Sequence, residues 1–143
     1  MKNYFKVILS ITMLVGLSFS AHAQDVITQK QSKFVSKFVG AVNVQKKNKV
    51  YKMITKEYKS KIKGSKEVVL SNLFAGRVKK TGEFSKVPFY DISSMRLLEV
   101  RELQEGITLY TFILATTEGT VDTSLILMKK GKKNKFSFQP YQN

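Results

Sequence analysis

Lysines at helical spacing are the residues of this chain whose type and position most directly suggest a chemical role. Between residues 49 and 63 they recur every three or four positions, along one side of a predicted helix: Lys49, Lys52, Lys56, Lys59 and Lys63. Such a row attracts phosphate-rich envelope lipid, acidic polysaccharide or nucleic acid in a salt-dependent way. It is also typical of the solvent-exposed side of an ordinary helix. If the row has a binding role, the residues predicted to bind an anionic surface are Lys52, Lys56, Lys59 and Lys63.

Specific nucleic-acid binding is not expected from this segment. Tyr58 falls on the apolar side of the predicted helix and Tyr51 at the edge of that side, so neither lies among the lysines. Proteins that bind single-stranded nucleic acid stack the bases on aromatic side chains inside the basic groove. The pattern therefore favours attraction by charge alone.

The absence of Cys excludes several kinds of chemistry. Disulfides, thiol nucleophiles and thiolate metal sites all need Cys, and the only His is His22. If His22 is removed with a signal peptide, neither a Ser-His-Asp nor a Cys-His mechanism can operate. No Gly-rich phosphate loop and no cluster of metal ligands stands out, so we expect no cofactor and no metal.

Residues 1–23 have the pattern of a cleavable secretory signal peptide. Two lysines precede an apolar core, Val7–Phe19, and small residues lead to a predicted cleavage after Ala23. The core is short and contains polar residues, which argues against a membrane anchor. Removing 23 of the 143 residues leaves 120, residues 24–143, which suits a single secreted or periplasmic domain. Two of the 25 basic residues leave with the signal, so 23 remain against ten acidic ones and the net charge becomes +13.

Three helices are predicted in the first half of the mature chain. Apolar residues recur at three- and four-residue spacing over Thr28–Asn43 and again over Lys49–Lys63, with lysines on the opposite side of both segments. Lys66–Ala75 has the same periodicity over a shorter span. Ser65 is expected to cap this third helix and Gly76 to end it.

The periodicity changes to that of β-strands after residue 91. Four strands are predicted: Met95–Leu103, Ile107–Ala115, Val121–Met128 and Phe136–Phe138. The polar segment Arg77–Pro88 is expected to be a loop that can contribute a short strand. Helices followed by strands are typical of an α+β fold, with the helices on one face of a four-stranded antiparallel meander.

The central strand Ile107–Ala115 is apolar on both faces. Alternate residues of a strand point to opposite sides, so two sets need cover: Ile107, Leu109 and Ile113 on one face, and Tyr110, Phe112 and Leu114 on the other. Parity alone does not show which set packs on the helices. The outer set would form an exposed apolar patch, covered either by sheet-to-sheet homodimerisation or by the loop 77–91 of the same chain.

Three stretches of the chain, Lys46–Lys59, Ser65–Leu73 and Leu125–Phe138, follow the pattern of a known superfamily. Their order, with helices first and a long antiparallel meander after them, resembles small secreted members of the nuclear transport factor 2-like superfamily. The last strand of such proteins often reads Gly-Lys-Trp-Lys-Ile, whereas Phe136 stands here where Trp is usual. The resemblance implies a cone of helices against a strongly curved sheet, with a pocket between them.

A pocket of that kind is lined by apolar side chains of both layers. The expected lining residues are Phe38, Tyr58, Leu73, Tyr110 and Phe112. Some enzymes of the superfamily use a buried Asp or Glu as a base, with a Tyr or a protonated acid holding an oxyanion. The candidates for these roles are the acids Asp91, Asp122 and Glu99 and the hydroxyl donors Tyr58, Tyr90 and Tyr110.

None of these candidates matches a catalytic motif of the superfamily by spacing, so no residue is predicted to be catalytic. The fold serves enzymes, ligand binders and interaction domains alike. We therefore predict a secreted or periplasmic non-enzymatic domain that binds a small apolar ligand or an anionic envelope component. The alternative is an isomerase or dehydratase that uses a buried carboxylate.

Overall fold

The computed structural model describes residues 28–104, 106–130 and 135–141, together with the short segments 11–12 and 15–16. Ile11–Thr12 and Val15–Gly16 pair as a separate two-residue ladder. The rest of the predicted signal peptide, with its cleavage site after Ala23, lies outside the described residues.

Four helices precede the main sheet: α1 (Gln29–Asn43), α2 (Lys47–Lys52), α3 (Lys56–Lys61) and α4 (Lys66–Leu73). Thr28 begins α1 through a capping box, since its hydroxyl accepts from the Gln31 N–H and the Gln31 side chain accepts from the Thr28 N–H. Ser65 caps α4 through the N–H of Val68, as predicted. No helix in the described part of the chain is long and apolar enough to cross a membrane.

The prediction of one helix over Lys49–Lys63 is wrong, because the chain breaks into α2 and α3. At the break the Met53 carbonyl accepts from the Phe138 N–H at 2.8 Å, and the Thr55 N–H donates to the Phe138 carbonyl at 2.9 Å. The Thr55 hydroxyl then caps α3 by accepting from the Tyr58 N–H at 3.2 Å. At residues 53–55 the backbone thus forms hydrogen bonds with Phe138 of the last strand in place of the hydrogen bonds of a continuous helix.

The main sheet has six antiparallel strands: β1 (Gly76–Val78), β2 (Phe84–Ser85), β3 (Ile92–Gln104), β4 (Ile107–Thr116), β5 (Gly119–Lys130) and β6 (Lys135–Pro140). Their order is β2-β1-β5-β4-β3, and β6 also pairs with β5. The prediction of four strands is therefore corrected to six. The two additional strands, β1 and β2, pair as a hairpin that takes up Gly76 and most of the predicted loop Arg77–Pro88. A 3₁₀ turn, Phe89–Asp91, leads into β3.

Strands β1 and β6 share one edge of β5, with β1 beside its beginning and β6 beside its end. Gly76 makes this arrangement possible, since a Cβ there would lie 2.2 Å from the Asp122 carbonyl oxygen. The prediction that Gly76 ends the preceding helix is wrong. That helix ends at Leu73, and Gly76 is the first residue of β1.

The core lies between the helices and the inner face of the sheet, and it is largely aromatic. Tyr110, Phe112 and Leu114 of β4 are the set that faces the helices. Phe38 of α1 meets Phe138 of β6 edge-on, with ring centroids 4.6 Å apart. On the outer face, Ile107 and Ile113 are half-buried, and Leu109 is buried although it lies outside the main core cluster.

Candidate functional site

The most distinctive surface of the described chain is a concentration of lysines on α2, α3, their flanking turns and the first residue of α4. Residues 46–66 contain nine lysines and a single carboxylate, Glu57. We call these lysines the basic surface: Lys46, Lys47, Lys49, Lys52, Lys56, Lys59, Lys61, Lys63 and Lys66. All are exposed except Lys47 and Lys59, which are half-buried. Mutual repulsion of so many cations is tolerated because their ammonium groups stay in water.

Two members of the basic surface connect α2 to the beginning of α4. Lys47 forms a salt bridge with Glu67, and this hydrogen bond is the main cause that lowers the pKa of the Glu67 carboxyl. Lys66 donates to the Asn48 side-chain oxygen at 3.0 Å. Because these groups are exposed, the contacts orient the two helices more than they stabilise them.

Lys59 is not a free member of the predicted row, because it lies against Tyr51. Its ammonium nitrogen is 4.6 Å from the ring centroid of Tyr51 and donates to the Tyr51 carbonyl at 3.3 Å. Lys66 lies over the same ring at 5.4 Å. The pKa of Lys59 is lowered. The main cause is burial of its ammonium group, and the positive charge of Lys56 is the smaller cause. The ring of Tyr51 therefore contacts two cations.

The other three predicted lysines, Lys52, Lys56 and Lys63, are exposed. None of the three forms a salt bridge with another described residue. The salt bridge found among the described residues joins Lys47 to Glu67. Lys52 ends α2 and Lys56 begins α3, so the row that the sequence placed on one helix is divided between two. A binding partner can therefore reach their ammonium groups from the solvent side.

A groove of about 420 Å³ adjoins the basic surface, between the beginning of α2, the helix α4 and the 3₁₀ turn. Its lining residues are Gln45, Lys47, Glu67, Val68, Ser71, Pro88, Phe89 and Tyr90. Gln45, which has a positive φ of 58°, fixes the wall by donating to the carbonyls of Phe89 at 3.0 Å and Ile92 at 2.8 Å. The sequence analysis did not predict this groove. The available signal was Val68, an apolar residue that lies off the apolar stripe of α4 and is exposed in the structure.

The five residues predicted to line a ligand pocket all lie in the core and not in the groove. They are between 0% and 7% exposed: Phe38, Tyr58, Leu73, Tyr110 and Phe112. Tyr110 stacks on Phe112 at 6.2 Å and meets Phe138 edge-on at 5.8 Å. The structure brings these rings together, and their role as a ligand site stays a prediction.

The hydroxyl of Tyr110 is the one buried side-chain polar atom without a hydrogen-bond partner among the described residues. Burial raises the pKa of this phenol and, to a smaller extent, that of Tyr58. An unpaired hydroxyl in an apolar core costs free energy, so it marks either a tolerated defect or a site for a polar group.

The carboxylates considered as catalytic lie on separate elements. The Thr117 hydroxyl donates its one hydrogen to the carboxylate of Asp91 and lies 2.8 and 3.0 Å from its two oxygens. Asp122 and Glu99 are exposed on β5 and β3. Tyr90, considered as a donor, is 79% exposed. No hydrogen bond joins any of these carboxylates to a tyrosine hydroxyl in the described part of the chain.

Metal ligands are also dispersed: no group of three or more Asp, Glu, His or Cys side chains is close enough to hold a metal ion within the described ranges. No protein-family model matches the chain, and no curated protein matches its sequence. The site must therefore be interpreted from its own chemistry.

Proposed function

We propose that the protein is a secreted or periplasmic, non-enzymatic binding domain whose basic surface attaches it to an anionic envelope component. The observation that carries the proposal is the density of cations: nine lysines and one carboxylate within residues 46–66. Seven of these lysines are exposed, and Lys52, Lys56 and Lys63 have no salt bridge to another described residue. A partner with regularly spaced negative charges would neutralise this field.

The three free lysines are expected to contribute to the free energy of binding to an anionic surface. A lysine near an anionic lipid surface contributes about 1 kcal/mol at physiological salt, so three contribute about 3 kcal/mol, or more than a hundredfold in affinity. The attraction falls off within about 8 Å at physiological ionic strength and weakens further as salt is added.

The test compares two triple variants that lose the same charge. K52Q/K56Q/K63Q removes the three free lysines of the basic surface, and K30Q/K33Q/K37Q removes three exposed lysines of α1. Retention on anionic vesicles or a polyanion resin should fall about a hundredfold or more for the first variant and far less for the second. Equal losses would mean that only the net charge matters, and no loss in either would refute the proposal.

A second candidate function is binding of a small apolar ligand within the aromatic core. The unpaired Tyr110 hydroxyl favours it, because a ligand with one polar group would satisfy that atom. Native mass spectrometry of protein purified from its own envelope would reveal a retained ligand. A spectrum with the bare protein mass alone would count against this candidate.

The enzymatic alternative, an isomerase or dehydratase, requires a carboxyl group with a raised pKa. NMR titration of the aspartates and glutamates tests it, and ordinary values throughout would remove it.

Two structural proposals accompany the binding function. The first is membership of the nuclear transport factor 2-like superfamily with a cone-like sheet, supported by the α+β arrangement and the antiparallel meander. The second is a homodimer through the outer face of the sheet. Ile107 and Met128 pair across β4 and β5 and are half-buried on that face, as is Ile126, which supports an apolar contact there. Sedimentation at micromolar concentration tests the dimer, and a strictly monomeric profile would contradict it.

A further inference from the structure

We propose that the anionic partner is a lipid bilayer, and that apolar side chains around the groove enter its headgroup region beside the basic surface. These side chains are Val44, Val68 and Tyr90. The inference rests on the proposed function, because it names the partner that the basic surface binds. It adds something that charge alone does not require, which is contact between the protein and the acyl boundary of the membrane.

The first observation is the exposure of two apolar residues that line one groove, and of a third, Val44, that is next in sequence to a lining residue. Tyr90 is 79% exposed, Val44 62% and Val68 40%. Tyr90 and Val68 both line the groove, and Val44 precedes Gln45, which also lines it. Single exposed apolar residues are common on proteins, but a group of them marks an interaction surface.

The second observation is that this apolar group borders the basic surface. Lys47, which is paired with Glu67, lines the groove itself, and Lys46 lies between Lys47 and Gln45 in sequence. Lys66 begins α4 two residues before Val68. Interfacial proteins combine lysines, whose stems lie along apolar surface while the ammonium group reaches the phosphates, with aromatic side chains at headgroup depth.

Tyrosine is suited to this depth because its ring is apolar and its hydroxyl is polar. A soluble polyanion would engage the lysines and leave Tyr90 and Val68 in water. The combination of exposed apolar and basic side chains therefore favours lipid over polysaccharide or nucleic acid.

The other exposed apolar residues do not line the groove: Phe84, which is 70% exposed, lies on β2, and three leucines lie on β3. Leu97, Leu98 and Leu103 lie on the edge strand β3, where Arg96 and Arg101 alternate with Glu99 and Glu102. That strand has no excess of positive charge, so it would not be drawn to an anionic membrane. Leu98, which is 51% exposed, supplies a matched control position.

The chain contains no Trp, so one introduced Trp reports on its own position alone. Tyr90→Trp and Leu98→Trp would each be mixed with vesicles of phosphatidylglycerol and phosphatidylcholine, with and without brominated acyl chains. We expect the emission of Tyr90→Trp to shift to shorter wavelength and to be quenched by the brominated lipid, while Leu98→Trp stays unchanged. The double substitution Tyr90→Ser with Val68→Ser should lower vesicle affinity about tenfold and leave binding to soluble polyphosphate unchanged.

The possible failures are distinguishable. If vesicles are bound through the lysines but neither Trp responds, or if both respond alike, insertion at the groove is refuted while the proposed function stands. If only polyphosphate is bound, the lipid assignment is refuted in the same way. If neither probe is bound, the proposed function fails as well.

Discussion

Removing the hydroxyl of Tyr110 is expected to stabilise the protein. The side chain is 1% exposed, and its oxygen has no partner among the described residues. A buried polar group left unpaired costs about 1–3 kcal/mol. Tyr110→Phe keeps the ring against Phe112 and Phe138 and opens no cavity larger than one oxygen atom. We expect the free energy of unfolding to rise by about 1–2 kcal/mol, and the melting temperature by several degrees.

The same substitution should change how stability depends on alkaline pH. Burial raises the pKa of Tyr110 above its ordinary value of 10.0, because the phenolate is disfavoured in the core. Above pH 10.0 the unfolded chain therefore loses this proton while the folded chain keeps it, and stability falls as pH rises. Tyr110→Phe removes this contribution, so its advantage should grow above pH 10.0.

Urea unfolding followed by circular dichroism, at neutral and alkaline pH, measures both effects. Tyr58→Phe is the matched control, since Tyr58 is buried but keeps 7% exposure and is not among the atoms left unpaired. At neutral pH we expect this control to change stability by no more than about 0.5 kcal/mol, and at alkaline pH to show the same trend as Tyr110→Phe to a smaller extent, because burial also raises the pKa of Tyr58. A loss of stability in Tyr110→Phe would refute the reasoning, because it would mean that the hydroxyl is satisfied by water or a ligand.

Three further substitutions probe the backbone, each measured by urea unfolding. Gly76→Ala should destabilise by about 2–3 kcal/mol, because its Cβ would lie 2.2 Å from the Asp122 carbonyl oxygen; an unchanged midpoint would contradict the close approach of β1 and β5. Gly40→Ala should stabilise by about 0.5–1 kcal/mol, since a Cβ there meets nothing within 4 Å and α1 gains helix propensity; a loss would show an unseen contact. Thr55→Ala should cost about 1 kcal/mol by removing the cap of α3, and Thr55→Ser should restore most of it; equal stability of both variants would exclude a capping role.

The sequence is sufficient to predict those helices and strands whose formation depends on local periodicity. Helices α1 and α4 and the strands β3 to β6 were predicted close to their positions, because apolar spacing, Ser65 as a cap and glycine turns act over a few residues. The face of β4 that packs on the helices was not predictable from parity. It is decided by ring packing between Phe112, Phe38 and Phe138, which are distant in sequence.

The errors have a common physical origin in contacts between distant parts of the chain. The break between α2 and α3 depends on Phe138, and β1 depends on the closeness of Gly76 to Asp122. The lysine row was predicted along one helix, but the break divides it between α2 and α3, and Lys59 of α3 lies against Tyr51 of α2. The groove was missed for the same reason, since Gln45 and Phe89 meet only after folding.

The junction between α2 and α3 also bears on the order in which the protein folds. Its hydrogen bonds join residues 53–55 to β6, and the contact of Thr55 with Gln139 spans 84 residues. Contacts of such separation form late, because a long loop must close before they stabilise anything. During synthesis the lysines of the junction emerge well before the strand that fixes them. The lysines on either side of the junction therefore reach their final arrangement only when β6 has joined the sheet.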